Sequence, residues 1–167
     1  VFAVLHISEF PLHAVLRATP GLVSAQPFAI LAHDTTASAG SRAIILAANL
    51  PARTLGITAG LTASQALARY AALRLLSASL AAETEAHATL LATAFTLSPL
   101  VEATAPGTAT ADVTGLAADE RLPALRRAVA SLAALARPTT AGLAATPLLA
   151  LYAAHHAARA PSLSHSL

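Results

Sequence analysis

At 167 residues the chain is long enough for one domain with a real core, or for one domain carrying a small lobe. A net charge of +2, with all ten basic residues arginine, excludes a dense basic patch, so whole-chain electrostatics alone do not make a strong nucleic-acid binder. The absence of cysteine excludes disulfides and thiolate metal sites. No run of about 18 or more apolar residues is free of charge and proline, which argues against a membrane span.

In chain order, Phe2 to Ile7 is an almost unbroken apolar run, the mark of a buried central strand. The N-terminus begins with valine and has no basic region or cleavage site, so no signal peptide is expected. Leu12 to Arg17 reads as a short helix stopped by Thr19-Pro20-Gly21, and Pro27 to Ala32 as a second strand. The small polar run Asp34 to Ser41 reads as a flexible loop. Arg42 to Ala48 makes a third strand, followed by a helical turn from Pro51 that Gly56 closes. Thr62 and Gln65 stand at capping-box spacing and start a helix that runs to about Ala71. Leu73 to Leu76 is a short strand, and Leu80 to Leu97 a long helix ended by Ser98-Pro99.

Ser98 to Gly115 reads as a hairpin. Val101 and Ala103 alternate with Glu102 and Thr104, Pro106-Gly107 supplies the turn, and a β-branched run resumes beyond it. Asp119 then N-caps a helix reaching Ala136, in which Leu122, Leu125, Val129 and Leu132 recur at helical spacing and Pro123 sits in the first turn. Arg137-Pro138 ends it. Thr139 to Ala144 is a last strand and Pro147 to Ala158 a last helix, before a frayed Ser/Pro/His-rich tail. Long helices on one face of a mixed sheet give an α+β layer class.

The hairpin resembles the second acidic motif of the Y-family (UmuC-like) translesion DNA polymerases. Ser98-Pro99, Val101-Glu102 and Asp112-Val113-Thr114-Gly115 fall at that motif's offsets, while Gly107 and Thr108 occupy the positions of its Asp-Glu pair. Further blocks agree. Ile45 to Asn49, Ala52-Arg53, Leu55-Gly56-Ile57, Gly60-Leu61 and Gln65-Ala66 are similar to the fingers signature, with Arg53 at its triphosphate-binding Arg and Leu50 at its Tyr. Leu5-His6-Ile7 matches the opening strand, with Ser8 where the metal-binding Asp stands. Gly142-Leu143-Ala144 resembles the last palm strand, with Pro147 and Leu151 at the lysine positions.

The resemblance implies a ferredoxin-like palm, its mixed sheet carrying long helices on one face, with a small inserted fingers lobe. Palm residues are then 1–17 and 78–160, the fingers lobe 18–77, and the tail 161–167. Thumb and little finger are expected to be absent. The retained and lost positions look most like the ImuB branch, whose members are pseudo-polymerases and adaptors among the sliding clamp, a companion protein and an error-prone replicative-type polymerase.

Nucleotidyl transfer needs carboxylates holding two Mg²⁺ ions about 3.5–4 Å apart. Ser8, Gly107 and Thr108 supply none, so the expectation is a chain that is not an enzyme, without cofactor, and without a catalytic or metal-binding residue. Arg53 is its vestigial phosphate contact or a structural ion pair. Glu9 reads as a relocated ligand or a surface carboxylate capping the next helix, and Asp112 as a hydrogen-bonding turn residue or a catalytic one. If strand alternation continues past Ile7, Glu9 faces away from position 8. His6 reads as a hydrogen-bonded core histidine; His33, His87 and His165 show no partners, and His155 and His156 point apart on a helix. Arg126 and Arg127 straddle a solvated edge or meet DNA phosphate.

The expected role is therefore that of a cytoplasmic adaptor in DNA repair, damage-induced mutagenesis and translesion synthesis. It would contact proteins of a translesion complex, bind DNA weakly or not at all, and leave membranes alone. Two alternatives stay open: an active error-prone Y-family polymerase fragment using Mg²⁺, and a truncated remnant without function.

Overall fold

The computed structural model describes residues 1–19, 25–32, 42–135 and 138–159, with side chains up to residue 157. Its elements in chain order are β1 (Phe2–Ile7), α1 (Phe10–Ala18), β2 (Phe28–Leu31), β3 (Ile45–Ala48), α2 (Leu50–Thr54), α3 (Ala63–Arg69), β4 (Arg74–Ser77), α4 (Leu80–Phe95), β5 (Val101–Ala105), β6 (Thr108–Asp112), α5 (Ala118–Ala134), β7 (Thr139–Ala144) and α6 (Pro147–Arg159). They fall into two compact units, one of Val1–Ser8 with the chain from Glu85 onward, the other of Glu9–Thr84.

The first unit is built on a four-stranded sheet in the order β5-β6-β1-β7. β1 runs antiparallel to both β6 and β7. Its apolar run is explained by cover on both faces: Ala3, Val4, Leu5 and Ile7 are all buried. Alternation sends Phe2, Val4 and His6 to one face and Ala3, Leu5 and Ile7 to the other. α6 covers the first face, where Ala150 and Ala154 pack on Val4. It comes so close that a Cβ on Gly142, the cross-strand partner of Val4, would stand 2.6 Å from the Ala154 backbone nitrogen. α5 lies against the opposite face, where Ala141, the partner of Leu5, shares a hollow with Leu122, Leu125 and Val129. α4 runs beside α5, the two lining one groove.

The second unit holds a three-stranded sheet in the order β3-β2-β4, antiparallel between β2 and β3 and parallel between β2 and β4. Phe28 and Ile30 pack with Leu12 and Val15 of α1, while Ala29 joins Ala52, Ile57 and Ala66. Buried Asn49 ties β2 to α2. Its Oδ1 accepts from the Phe28 and Ala52 N–H groups, each at 3.1 Å, and its Nδ2 donates to the Gln26 carbonyl at 2.7 Å. Thr62 and Gln65 form the expected capping box at the start of α3. Among the described residues, more than half of the buried apolar ones are alanine.

Differences from the sequence reading sit at element ends. α1 opens at Phe10, because Pro11 in its first turn needs no hydrogen bond there. α5 is capped by Ala117 without a side-chain bond, so Asp119 is not its N-cap. Asp119 and Glu120 lie in the first turn, where the helix dipole favours negative charge. The third strand is shorter than Arg42 to Ala48; ahead of Ile45, only Ile44 pairs, in a lone bridge to Thr62. The Asp34 to Ser41 loop, the Pro20-Gly21 and Arg137 helix stops, His33, His165 and the tail 161–167 lie outside the described residues. No helix among the described residues is long and apolar enough to cross a membrane.

Candidate functional site

Three positions separated by a hundred residues meet at one end of the four-stranded sheet. Ser8 follows β1 directly, in a turn, and is half-buried. One residue earlier, the Ile7 N–H donates to the Gly107 carbonyl at 2.8 Å. Thr108 pairs across the ladder with His6. The tight β5–β6 turn requires Gly107, whose φ of 73° lies in the left-handed region that side chains disfavour. The Gly107 N–H is directed at His87 Nδ1, 3.3 Å away, and the buried Thr108 hydroxyl stands 3.0 Å from His6 Nδ1. His87 therefore has a partner that the sequence did not reveal. These contacts fix the hairpin; none brings a carboxylate to the three positions.

The carboxylates considered from the sequence stand elsewhere. Glu9 is not on an extended strand, since β1 ends at Ile7. It sits at φ 51°, ψ 41° as the N-cap of α1, so alternation along a strand says nothing about its direction. Its side chain makes no capping bond. The backbone carbonyl accepts from the Leu12 and His13 N–H groups, and Oε1 stands 3.2 Å from Arg53 Nη1. Arg53 is thus held in an exposed ion pair on α2, its side chain 44% exposed against 43% for Glu9.

Asp112 Oδ1 accepts from the Thr114 hydroxyl at 2.5 Å and from the Thr114 N–H at 2.9 Å. Those two bonds, the hydroxyl's first, hold its carboxyl below the usual aspartate value. Glu102, exposed on the edge strand β5, lines a shallow hollow of about 310 Å³ with Asp112, Phe2, Thr110 and Pro147. Among the described residues no group of three or more His, Asp or Glu side chains is placed to hold a metal ion. A two-Mg²⁺ centre needs converging anionic oxygens. A serine hydroxyl, a glycine and a threonine whose hydroxyl meets an imidazole do not fit that requirement.

A contact the sequence reading missed lies on the α6 side of the sheet. The rings of His6 and His155 stand 4.1 Å apart between centroids, tilted by 41°. His6 is driven below its ordinary value near 6.5, first by burial and then by His155. Thr140 donates its hydroxyl to the His6 carbonyl at 3.3 Å. His156 turns instead toward Tyr152, with ring centroids 6.4 Å apart. The two neighbours do point apart, but nothing in the local sequence around His155 signals a partner on β1.

Arg126 and Arg127 are exposed on α5. Arg127 lines the α4–α5 groove with Thr93, Thr96 and Ser131.

No curated protein matches the chain. Among solved structures, a Y-family DNA polymerase chimera of Dbh and Dpo4 superposes with a TM-score of 0.79 at 16% identity, over 93% of this chain and 45% of that one. DinB from Sulfolobus solfataricus gives 0.76 at 16% identity, over 93% and 46%. An insertion ternary complex of Dbh DNA polymerase gives 0.77 at 16% identity, over 93% and 45%. The fold is therefore that of a Y-family polymerase palm region, and the chain spans about half the length of these structures.

Ser8, Gly107 and Thr108 suggested that the chain is not an enzyme, yet the matching family and the matching structures are those of DNA polymerases. Three side chains decide what those three positions can bind; they do not remove a chain from an enzyme family. The model of the impB/mucB/samB family matches residues 5–155, nearly the whole chain, and the chain belongs to that family.

Proposed function

We propose that this chain is the palm and fingers portion of a UmuC-like protein of DNA-damage bypass, and that its contribution is that of a cytoplasmic adaptor. The observation that carries the reading is the family match over residues 5–155 on a palm-type fold. The adaptor role is supported by how the site residues are used. Gly107 and Thr108 spend their polar groups on His87 and His6, and Arg53 on Glu9, so these groups serve the architecture that presents the outer surface. The partners proposed are the sliding clamp, a companion protein and an error-prone replicative-type polymerase, with DNA held weakly or not at all by this portion.

Purified chain, immobilised and exposed in turn to clamp, companion and polymerase, is expected to retain at least one of them at micromolar concentration or better. Failure with all three sinks the adaptor role. A second reading, a portion of an error-prone polymerase acting on primer and template, is favoured by the polymerase structures that share its fold. Template-dependent extension by a protein containing this chain, lost on altering residues near the β5–β6 turn, would decide for it. Arg53 separates the readings as well: as a phosphate contact, Arg53→Ala weakens nucleotide binding, whereas as a structural pair it leaves binding unchanged.

A further inference from the structure

Beyond the damage-bypass reading, and independently of it, the adjacent imidazoles of His6 and His155 have a chemistry of their own. We propose that His6 of β1 and His155 of α6 form a two-imidazole site for one borderline divalent transition ion of the Zn²⁺, Ni²⁺ and Cu²⁺ class, which clamps α6 to the sheet. Imidazole nitrogen suits that class, while Mg²⁺ takes oxygen ligands, so this site is chemically unlike a polymerase metal centre.

The rings already stand 4.1 Å apart and come from two elements that pack together through Val4, Ala150 and Ala154. With metal–nitrogen bonds of about 2.0–2.1 Å, two imidazoles on one ion place their ring centres on the order of 5 Å apart. The exposed His155 therefore needs to swing out by only about 1 Å to admit the ion. His6 is oriented for the task. Its Nδ1 meets the buried Thr108 hydroxyl at 3.0 Å, an outer contact that holds the ring in place and leaves Nε2 for the metal. A hollow of about 260 Å³ lined by Leu148, Leu151, Tyr152, His155 and His156 opens on the His155 side of the pair. The protein supplies two ligands and water completes the coordination shell.

The test uses the full chain, stripped with chelator and titrated with ZnCl₂ by calorimetry and in thermal unfolding. One equivalent of Zn²⁺ is expected to bind and to raise the melting temperature, while MgCl₂ does neither. His155→Ala, at an exposed position, is expected to fold and to bind at least about tenfold more weakly, the loss that removing support from a metal site brings. His6→Gln behaves likewise, His156→Ala binds as the parent does, and X-ray absorption on the Zn²⁺ form counts two imidazoles. Absence of binding to the parent chain overturns the proposal, as does undiminished binding to His155→Ala or a loss in His156→Ala as large as in His155→Ala.

Discussion

Gly142 is where the packing of α6 on the sheet can be tested most sharply. Its φ is not in the left-handed region, so alanine costs nothing in backbone conformation there. The obstacle is the helix. A Cβ at position 142 would stand 2.6 Å from the Ala154 nitrogen and 2.9 Å from the Ala153 Cβ, and it would meet the Ala150 carbonyl oxygen more closely still. Two of those three atoms are backbone, so no rotamer relieves the clash, and α6 as a whole has to retreat by about 1 Å from a density that leaves no slack. Overpacking of this kind costs about 1–3 kcal/mol, and a backbone obstacle puts Gly142→Ala at the upper end. The entropy that alanine removes from the unfolded chain returns roughly 0.4–1 kcal/mol, leaving a net loss of about 2 kcal/mol. For a chain of this size that lowers the melting temperature by roughly 4–8 °C. Gly115→Ala, with nothing within 4 Å of the added carbon, is the control and should melt within about 1 °C of the parent. Thermal unfolding followed by circular dichroism at matched concentrations reads both. A Gly142→Ala protein that melts with the parent would refute the close approach of α6 and β7.

Asn49→Ala leaves the Phe28 N–H without its acceptor inside the second unit, and urea unfolding should show a loss of about 2–3 kcal/mol. Thr62→Ala opens the capping box of α3 and should cost about 1 kcal/mol in the same assay, with Thr62→Ser close to the parent. Arg53→Ala breaks an exposed pair with Glu9 and should change stability by no more than about 0.5 kcal/mol, measured at both low and high salt. His6 and His13 are both held below their ordinary value near 6.5 by burial. Their contribution to stability is complete above that value, where folded and unfolded chains are both neutral. It is lost as the pH falls, because the unfolded chain takes up protons that the folded one resists. Melting temperature should therefore be level above about pH 7 and fall below about pH 6.5, with a shallower fall in His13→Gln; a level profile down to about pH 5 would contradict the assignment.

The apolar run of β1, the Pro106-Gly107 turn and the Thr62–Gln65 box each carry their structure in a few adjacent residues, so all three were legible without coordinates. Asp119 was not, because an acid near a helix start can cap the backbone or merely face the dipole, and only the position of Ala117 decides between them. Glu9 defeated the alternation rule because the strand stops two residues before it and the chain passes through a left-handed residue. The polymerase-like motif singled out Ser8, Gly107 and Thr108 as positions, and the structure sets them at one end of the four-stranded sheet. What those positions touch was hidden, since His87 and His6 reach them from elements whose packing no local pattern encodes. His155 is the extreme case: its meeting with His6 depends on how closely α6 can lie on the sheet, and hence on a glycine in β7.

An interior furnished mostly with alanine has an uneven tolerance of change. From an alanine codon a single base substitution reaches glycine, serine, threonine, valine, proline, aspartate or glutamate. Most of these are larger, polar or charged, and almost none is a smaller apolar group. Helices seated on methyl groups stand near their distance of closest approach, so drift at buried sites pushes elements apart far more often than it opens voids. Variation in a lineage carrying this fold should accordingly collect at the rim, and paired enlargements and reductions should mark the places where the interior has moved at all.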